Sequence, residues 1–261
     1  MIGTRKIYED FDNRDISVIV HTHDRNMAIN KYVREREHGF TCNQNDLWHG
    51  IKSIKKALTN ISSGPRYKEG KTWSEELVDK VEPIATHFYW AAKHCEGNST
   101  TLRTLLDNIV DHYQNDHKRC HPSSRCKQDP NYEPSKVVLE NPVAIKLLKS
   151  VIVNSTIYKY PDHFNLGRDT YFVASFNNTL NVYQDKRIAF GSEQYKVRAF
   201  LETLHWNENV NREHTSVSFK ADPKAPRRLK GKKNYKKKTF NFRNNIWMRY
   251  IKQVYSKREN K

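Results

Sequence analysis

Residues Ile16 to His49 constrain the fold more than any other stretch of this chain. Ile16-Ser17-Val18-Ile19-Val20-His21 is dense in β-branched residues, reaches Asp24 three residues later, and passes almost at once into a helical pattern. A strand that hands over to a helix through a carboxylate is how an α/β protein presents an acid at the carboxyl end of a buried parallel strand. An Asp just before a helix is also an ordinary N-cap. Asp24 therefore has two readings, a site acid or a cap.

The formal charge of +17 is not spread along the chain. Between Lys220 and Lys261 there are 16 Lys and Arg against two acids, so this stretch carries +14 and the first 219 residues only +3. Such asymmetry points to a polyanion, nucleic acid before an anionic membrane. With 36% hydrophobic residues in 261, the chain can bury one good core or two small ones. No apolar run approaches the roughly 20 residues of a membrane span, and Met1-Ile2-Gly3-Thr4-Arg5-Lys6 has no signal-peptide core, so no membrane partner and a cytosolic or nuclear protein are expected. In that setting the sequons at Asn60, Asn98, Asn154 and Asn177 carry no weight. Cys42, Cys95, Cys120 and Cys126 are expected as thiols or metal ligands.

Taken in order, residues 5 to 12 read as the end of a helix and Ile16–His21 as the first strand, with little room for strands before it. Met27, Ile29, Tyr32 and Val33 make a short helical stripe that stops at Gly39. From Asp46, the spacing of Leu47, Ile51, Ile54, Ala57 and Leu58 predicts an amphipathic helix with Lys52, Lys55 and Lys56 on other faces. A loop follows over residues 62–70. Thr72-Trp73-Ser74-Glu75 then has capping-box spacing for a long helix through Ala92, with Pro83 a potential kink. Asn98-Ser99-Thr100 opens the clearest helix, through Tyr113, and Asn141-Pro142 opens another through Val151. Thr170 to Val173 reads as a strand, and Tyr195 to Leu204 as a further amphipathic helix.

Two clusters carry chemistry of their own. His117-x-x-Cys120, with Cys126 six residues on in a Pro/Ser-rich loop, suits a tetrahedral structural Zn²⁺ site that His112 or Cys95 would complete. The alternative is solvated histidines and buried free thiols. Farther on, Arg227, Arg228, Lys230, Lys232, Lys233, Lys236, Lys237 and Lys238 form a basic run that would release counterions from a phosphate backbone and could serve as a nuclear import signal. The alternative there is a solvated charged tail. Phe240, Phe242, Ile246, Trp247, Tyr250, Ile251 and Tyr255 follow with the spacing of a short amphipathic helix.

Four blocks in fixed order carry a resemblance. Thr22-His23-Asp24-Arg25-Asn26, Asp46-Leu47-Trp48-His49, Tyr171-Phe172-Val173-Ala174-Ser175-Phe176-Asn177-Asn178 and Leu204-His205-Trp206-Asn207-Glu208-Asn209 resemble the catalytic region of cut-and-paste DNA transposases with an RNase H-like fold, above all animal Mutator-like and Kolobok-like elements and host proteins derived from them. The fold class this implies is α/β, a partial RNase H-like core interrupted by a large, mostly helical insertion. Residues 1–49 would be the N-terminal part of the core, 50–165 the insertion with the zinc ligands, 166–215 the C-terminal part, and 216–261 a basic tail with its short helix.

In such enzymes three carboxylates hold two Mg²⁺ or Mn²⁺ ions, which activate the attacking oxygen and stabilise the leaving one. The resemblance places Asp24 as the second acid and Asp46-x-x-His49 as the acid-x-x-histidine signature after it. At the third acid this chain has Ala174. The first would sit on a strand upstream of Asp24, where Asp10, Asp12 and Asp15 stand in helix-like or turn sequence. The expectation is a nuclear, transposase-derived DNA-binding protein without working two-metal chemistry, with homo-oligomerisation left open. Two alternatives remain: one segment of a longer active transposase, and a zinc-stapled helical module for protein or RNA.

Overall fold

A computed structural model describes residues 2–36, 41–63, 72–185, 187–222 and 225–259, and only the backbone of 221–222, 225–230 and 257–259. Over these residues the protein is mixed α/β and mostly helical, with two small sheets. It divides into two units, Met1–Thr170 and Tyr171–Lys261.

The first unit opens with α1 (Ile2–Asp12), β1 (Val20–His23), α2 (Met27–Glu35) and β2 (Cys42–Asn45). The two strands pair in parallel, Val20 with Cys42 through His23 with Asn45, so the segment is a small βαβ unit. The strand expected over Ile16–His21 is therefore shorter and shifted toward Asp24; Val20 to Thr22 are half-buried and His23 is buried, while Ile19, just before the strand, is 75% exposed. A strand exists only where its backbone finds a partner, and β2 offers four residues. Asn26, not Asp24, caps α2, accepting from the N–H groups of Ala28 and Ile29. Buried Tyr8 ties α1 to β1, its hydroxyl 2.8 Å from His21 Nδ1. The stop expected at Gly39 and most of the loop expected over 62–70 lie outside the described residues.

A helical block follows: α3 (Leu47–Ser62), α4 (Glu75–Val78), α5 (Val81–His94), α6 (Ser99–Tyr113), α7 (Arg125–Gln128), α8 (Pro142–Asn154) and α9 (Thr156–Lys159), then a 3₁₀ turn at Pro161–His163. The apolar stripe of α3, formed by Ile51, Ile54 and Leu58, joins Ile84 and Phe88 of α5, Leu102 and Leu106 of α6 and Leu148 of α8 in one buried cluster. The helix expected from Trp73 to Ala92 is broken into α4 and α5. Proline has no N–H and its ring clashes with the carbonyl four residues back, so Pro83 fits only in the first turn of a new helix. The break is used: Glu76 accepts the N–H groups of Glu140 and Asn141, each at 2.9 Å, and Asp79 that of Val137. Asn98 and Asn141 cap α6 and α8 as their sequences predict.

The chain then returns to the small sheet. Gln44, fully buried on β2, donates to the Asp162 carbonyl at 2.7 Å and accepts from Leu166 N–H at 3.2 Å. Gly50 lets this segment close on α3, since a Cβ there would lie 3.1 Å from Phe164 and 3.2 Å from Ile157. The Leu47 N–H reaches the Arg168 carbonyl, which delivers Thr170 to the end of β2.

The second unit holds α10 (Tyr171–Tyr183), α11 (Ser192–Asn209), β3 (His214–Asp222), β4 (Ala225–Tyr235) and α12 (Asn241–Glu259). Thr170–Val173 is thus not a strand: Tyr171 starts a helix, because a four-residue β-prone run without a pairing partner gains less than one that extends a helix of 13 residues. The basic stretch is not a loose tail either. It forms β4 of an antiparallel ribbon with β3, in which Val217 and Phe219 stand opposite Lys233 and Gly231. The terminal helix is longer than a short amphipathic segment and docks at its start, where Phe242 is buried and Glu208 accepts the N–H groups of Asn241 and Phe242. Among the described residues, no helix is long and apolar enough to cross a membrane.

Candidate functional site

Parallel pairing brings Asp24 and Asp46 together. Each follows the last residue of its strand, and the Asp46 N–H donates to the His23 carbonyl at 2.8 Å. Both oxygens of the Asp46 carboxylate are engaged by its surroundings. Oδ1 caps α3 through the His49 N–H at 2.9 Å, and Oδ2 accepts the Thr170 N–H at 2.8 Å and the Thr170 hydroxyl. That hydroxyl is also 3.3 Å from Asp24 Oδ1, and His49 Nε2 is 3.6 Å from the same oxygen. Asp24, Asp46 and His49 each place a ligand atom within 4.8 Å of the others. Asp46 is buried whereas Asp24 and His49 face solvent.

Burial pushes the Asp46 carboxyl upward, but the Thr170 hydroxyl, the two backbone N–H groups and His49 outweigh it and hold the group below its ordinary value. Asp46 is thus both a helix cap and a member of the group, and His49 packs edge-on against Trp48 with ring centres 4.8 Å apart. Two hard cations need several carboxylate oxygens free to ligate. Here both Asp46 oxygens are engaged and, among the described residues, no third carboxylate belongs to the group. The donor set does not fit a pair of Mg²⁺ or Mn²⁺ ions. Thr170 is the residue the sequence hides, since it lies 124 positions from the carboxylate it binds.

The second group forms where α6 ends. His112, His117, Cys120 and Cys126 bring one ligand atom each within 4.8 Å of one another, and the group could hold a metal ion. Cys120 Sγ lies 3.5 Å from His112 Nδ1 and 3.7 Å from His117 Nδ1, and Cys126 Sγ is 3.8 Å from His112 Nδ1. Asn108, one turn earlier on α6, donates its side-chain amide to Cys120 Sγ at 3.3 Å. Burial, then His117 and His87, lowers the His112 imidazole to about 4, and burial with the neighbouring Cys120 raises the Cys126 thiol to about 11. Cys95, the other residue that could have completed the four, is elsewhere: it is fully buried and its thiol donates to the Asn165 carbonyl.

The cations fall in two places. On α3, His49, Lys52 and Lys56 recur at helical spacing; the Lys52 ammonium sits 5.0 Å from the Trp48 ring centre, while Lys55 pairs with Glu82 at 2.5 Å. On the ribbon, successive residues point to opposite faces, so adjacent Lys232 and Lys233 present charge on both. Lys236 pairs with Glu213, and Lys237 and Lys238 follow, exposed. Arg227, Arg228 and Lys230 belong to β4, but their side chains lie outside the described residues.

Fold and site together define a mostly helical α/β protein with a carboxylate pair at the end of a parallel strand pair, a His₂Cys₂ group and a basic β-ribbon. Compared with known proteins, the chain matches no family model, no curated protein and no solved structure.

Proposed function

We propose that this chain is a transposase-derived DNA-binding protein on the RNase H-like plan, without nuclease activity of its own. The observation that carries the reading is the pairing of Asp24 with Asp46 at neighbouring carboxyl ends of parallel strands, where the transposase resemblance puts acids, in a group with no third carboxylate among the described residues. The position of the family's third acid is Ala174, in α10, whose methyl group cannot ligate a cation. DNA contact rests on Lys232, Lys233, Lys237 and Lys238 and on the Lys52 and Lys56 face of α3, and the basic ribbon also supports a nuclear location.

Supercoiled plasmid incubated with the purified chain and Mg²⁺ or Mn²⁺ is expected to stay intact. Divalent-dependent nicking that disappears in Asp24→Ala would overturn the assignment. Duplex binding should weaken steeply with salt, and the Lys232→Ala/Lys233→Ala variant should lower the slope of log K against log salt by about 1.8, at roughly 0.9 for each phosphate no longer neutralised.

The metal of the His₂Cys₂ group is Zn²⁺ in this reading. Tetrahedral zinc with Zn–S near 2.3 Å and Zn–N near 2.0–2.1 Å separates sulfur from nitrogen by about 3.6 Å, and the sulfur–nitrogen separations of 3.5, 3.7 and 3.8 Å bracket that value. The donors are all of the N/S type zinc prefers, and the Asn108 amide on Cys120 is the outer hydrogen bond a thiolate ligand attracts. With four protein ligands the site is closed and structural, fastening the loop after α6 to the helical block. Metal analysis should find one zinc per chain, absent from Cys120→Ser/Cys126→Ser.

A further inference from the structure

Within the second unit, α10, α11 and the ribbon line a cleft of about 280 Å³. Phe172, Trp206 and Tyr235 contribute aromatic rings to it, and Phe172 and Tyr235 remain 63% and 52% exposed. Arg212 and Lys238 line the same cleft. The Arg212 guanidinium lies 6.0 Å from the Tyr235 ring centre and is held in place by the carbonyls of Asn209 and Lys236. Rings that stay open beside cations are costly in water and useful against a flat, anionic ligand.

A buried histidine stands in the wall of the same cleft. His205 is 3% exposed, its Nδ1 is 3.1 Å from the Tyr183 hydroxyl, and its ring lies 4.9 Å from that of Phe240 between centres. The surrounding field is mainly positive: burial first, then Lys238, and also Arg212 and Arg243, hold the imidazole below its ordinary value, with Glu208 opposing.

We propose that this cleft receives one unpaired nucleotide of a nucleic-acid strand. The base stacks among Phe172, Trp206 and Tyr235, and the phosphate lies on Arg212 and Lys238. Stacking of a base on an aromatic side chain contributes about 1–3 kcal/mol and tolerates any sequence. The proposal goes beyond duplex binding by the basic ribbon, which needs only phosphates, and either can hold without the other.

The test uses the full chain and short oligonucleotides carrying a fluorescent adenine analogue, as single-stranded DNA, as single-stranded RNA and as a DNA duplex. Tighter binding to a single strand than to the duplex is expected, with quenching of the analogue. Whichever of DNA and RNA binds tighter identifies the source of the nucleotide. Tyr235→Ala and Phe172→Ala should each weaken single-strand binding by roughly 5- to 100-fold and abolish quenching, while duplex affinity stays within about twofold. Lys232→Ala/Lys233→Ala should weaken both substrates and leave the quenching intact. Since Phe172 and Tyr235 are exposed, folding should survive their loss, checked by unchanged thermal melting. Duplex preference, or quenching that persists in both aromatic variants, would overturn the proposal while leaving duplex binding to be judged by its salt slope.

Discussion

The two units of this protein bury different things. In residues 1–170 one contiguous apolar cluster runs through α3, α5, α6 and α8, with Phe88, Leu102, Leu106 and Leu148 fully out of water. In residues 171–261, the buried side chains among the described residues are chiefly polar (Thr179, Gln184, Glu202, His205 and Asn209), joined by Phe242 alone among the large hydrophobics. Meanwhile Val182, Phe200 and Trp247 are each at least 60% exposed. Hydrophobic burial supplies most of folding stability, so the first unit carries its own fold and the second leans on local hydrogen bonding within helices and ribbon. The unit with the apolar core holds the carboxylates and the His₂Cys₂ group, and the one without it holds the basic ribbon and the open rings. On the proposed reading, in which this surface meets a polyanion, its cations and aromatics stay in water, where they cannot also build a core.

Metal removal should widen this contrast most. Stripping the His₂Cys₂ group, or Cys120→Ser/Cys126→Ser, should cost the first unit several kcal/mol, given the roughly 10–16 kcal/mol that structural zinc contributes in small domains. Hydrogen exchange should speed up through α6 and the loop after it and stay unchanged in α10 and α11. Acid should mimic chelation. The His112 imidazole, lowered to about 4, is neutral in the folded state, so the stability it contributes is fully present above the ordinary histidine range near 6.5 and lost as pH falls toward 4. A metal-free melting profile flat across that interval would show that burial does not hold His112 neutral.

Core truncation comes next. Phe88→Ala should lower stability by about 3–5 kcal/mol, read by denaturant titration. Phe200→Ala, the same change in the second unit, should fall within about 0.5 kcal/mol; an equal loss at both positions would erase the distinction between the units.

Asp46→Ala should have an intermediate effect of about 1–2 kcal/mol through loss of the α3 cap. Because its folded value is lowered, that contribution is present above the ordinary carboxylate range and lost as pH falls below it. Asp24→Ala should cost far less, since the side chain is exposed and α2 is capped by Asn26. Comparing the two by thermal melts at neutral pH and near pH 3 separates a structural acid from a merely neighbouring one.

Some of this was legible in the chain. Asn98 and Asn141 announced α6 and α8, and His117-x-x-Cys120 with Cys126 announced a cluster that could hold a metal ion and whose fourth member had two candidates. The alternation of Val217 and Phe219 was an available signal for β3, masked by the charge run after it. Asp46 stands directly before the apolar stripe of α3, where a cap is legible, whereas the partner of its second oxygen, Thr170, is not.

Local pattern by itself determined α3, α6 and α8, the caps of α6 and α8 and the placement of charge, since these depend on neighbours within a few residues, but it misread the start of α10 and the break between α4 and α5. Only the tertiary structure decided that His112 and not Cys95 completes the His₂Cys₂ group, that β2 lies beside β1, and that Thr170 holds Asp46. These are choices among distant partners, governed by how apolar faces pack and where backbone groups find acceptors, and no spacing along the chain records them.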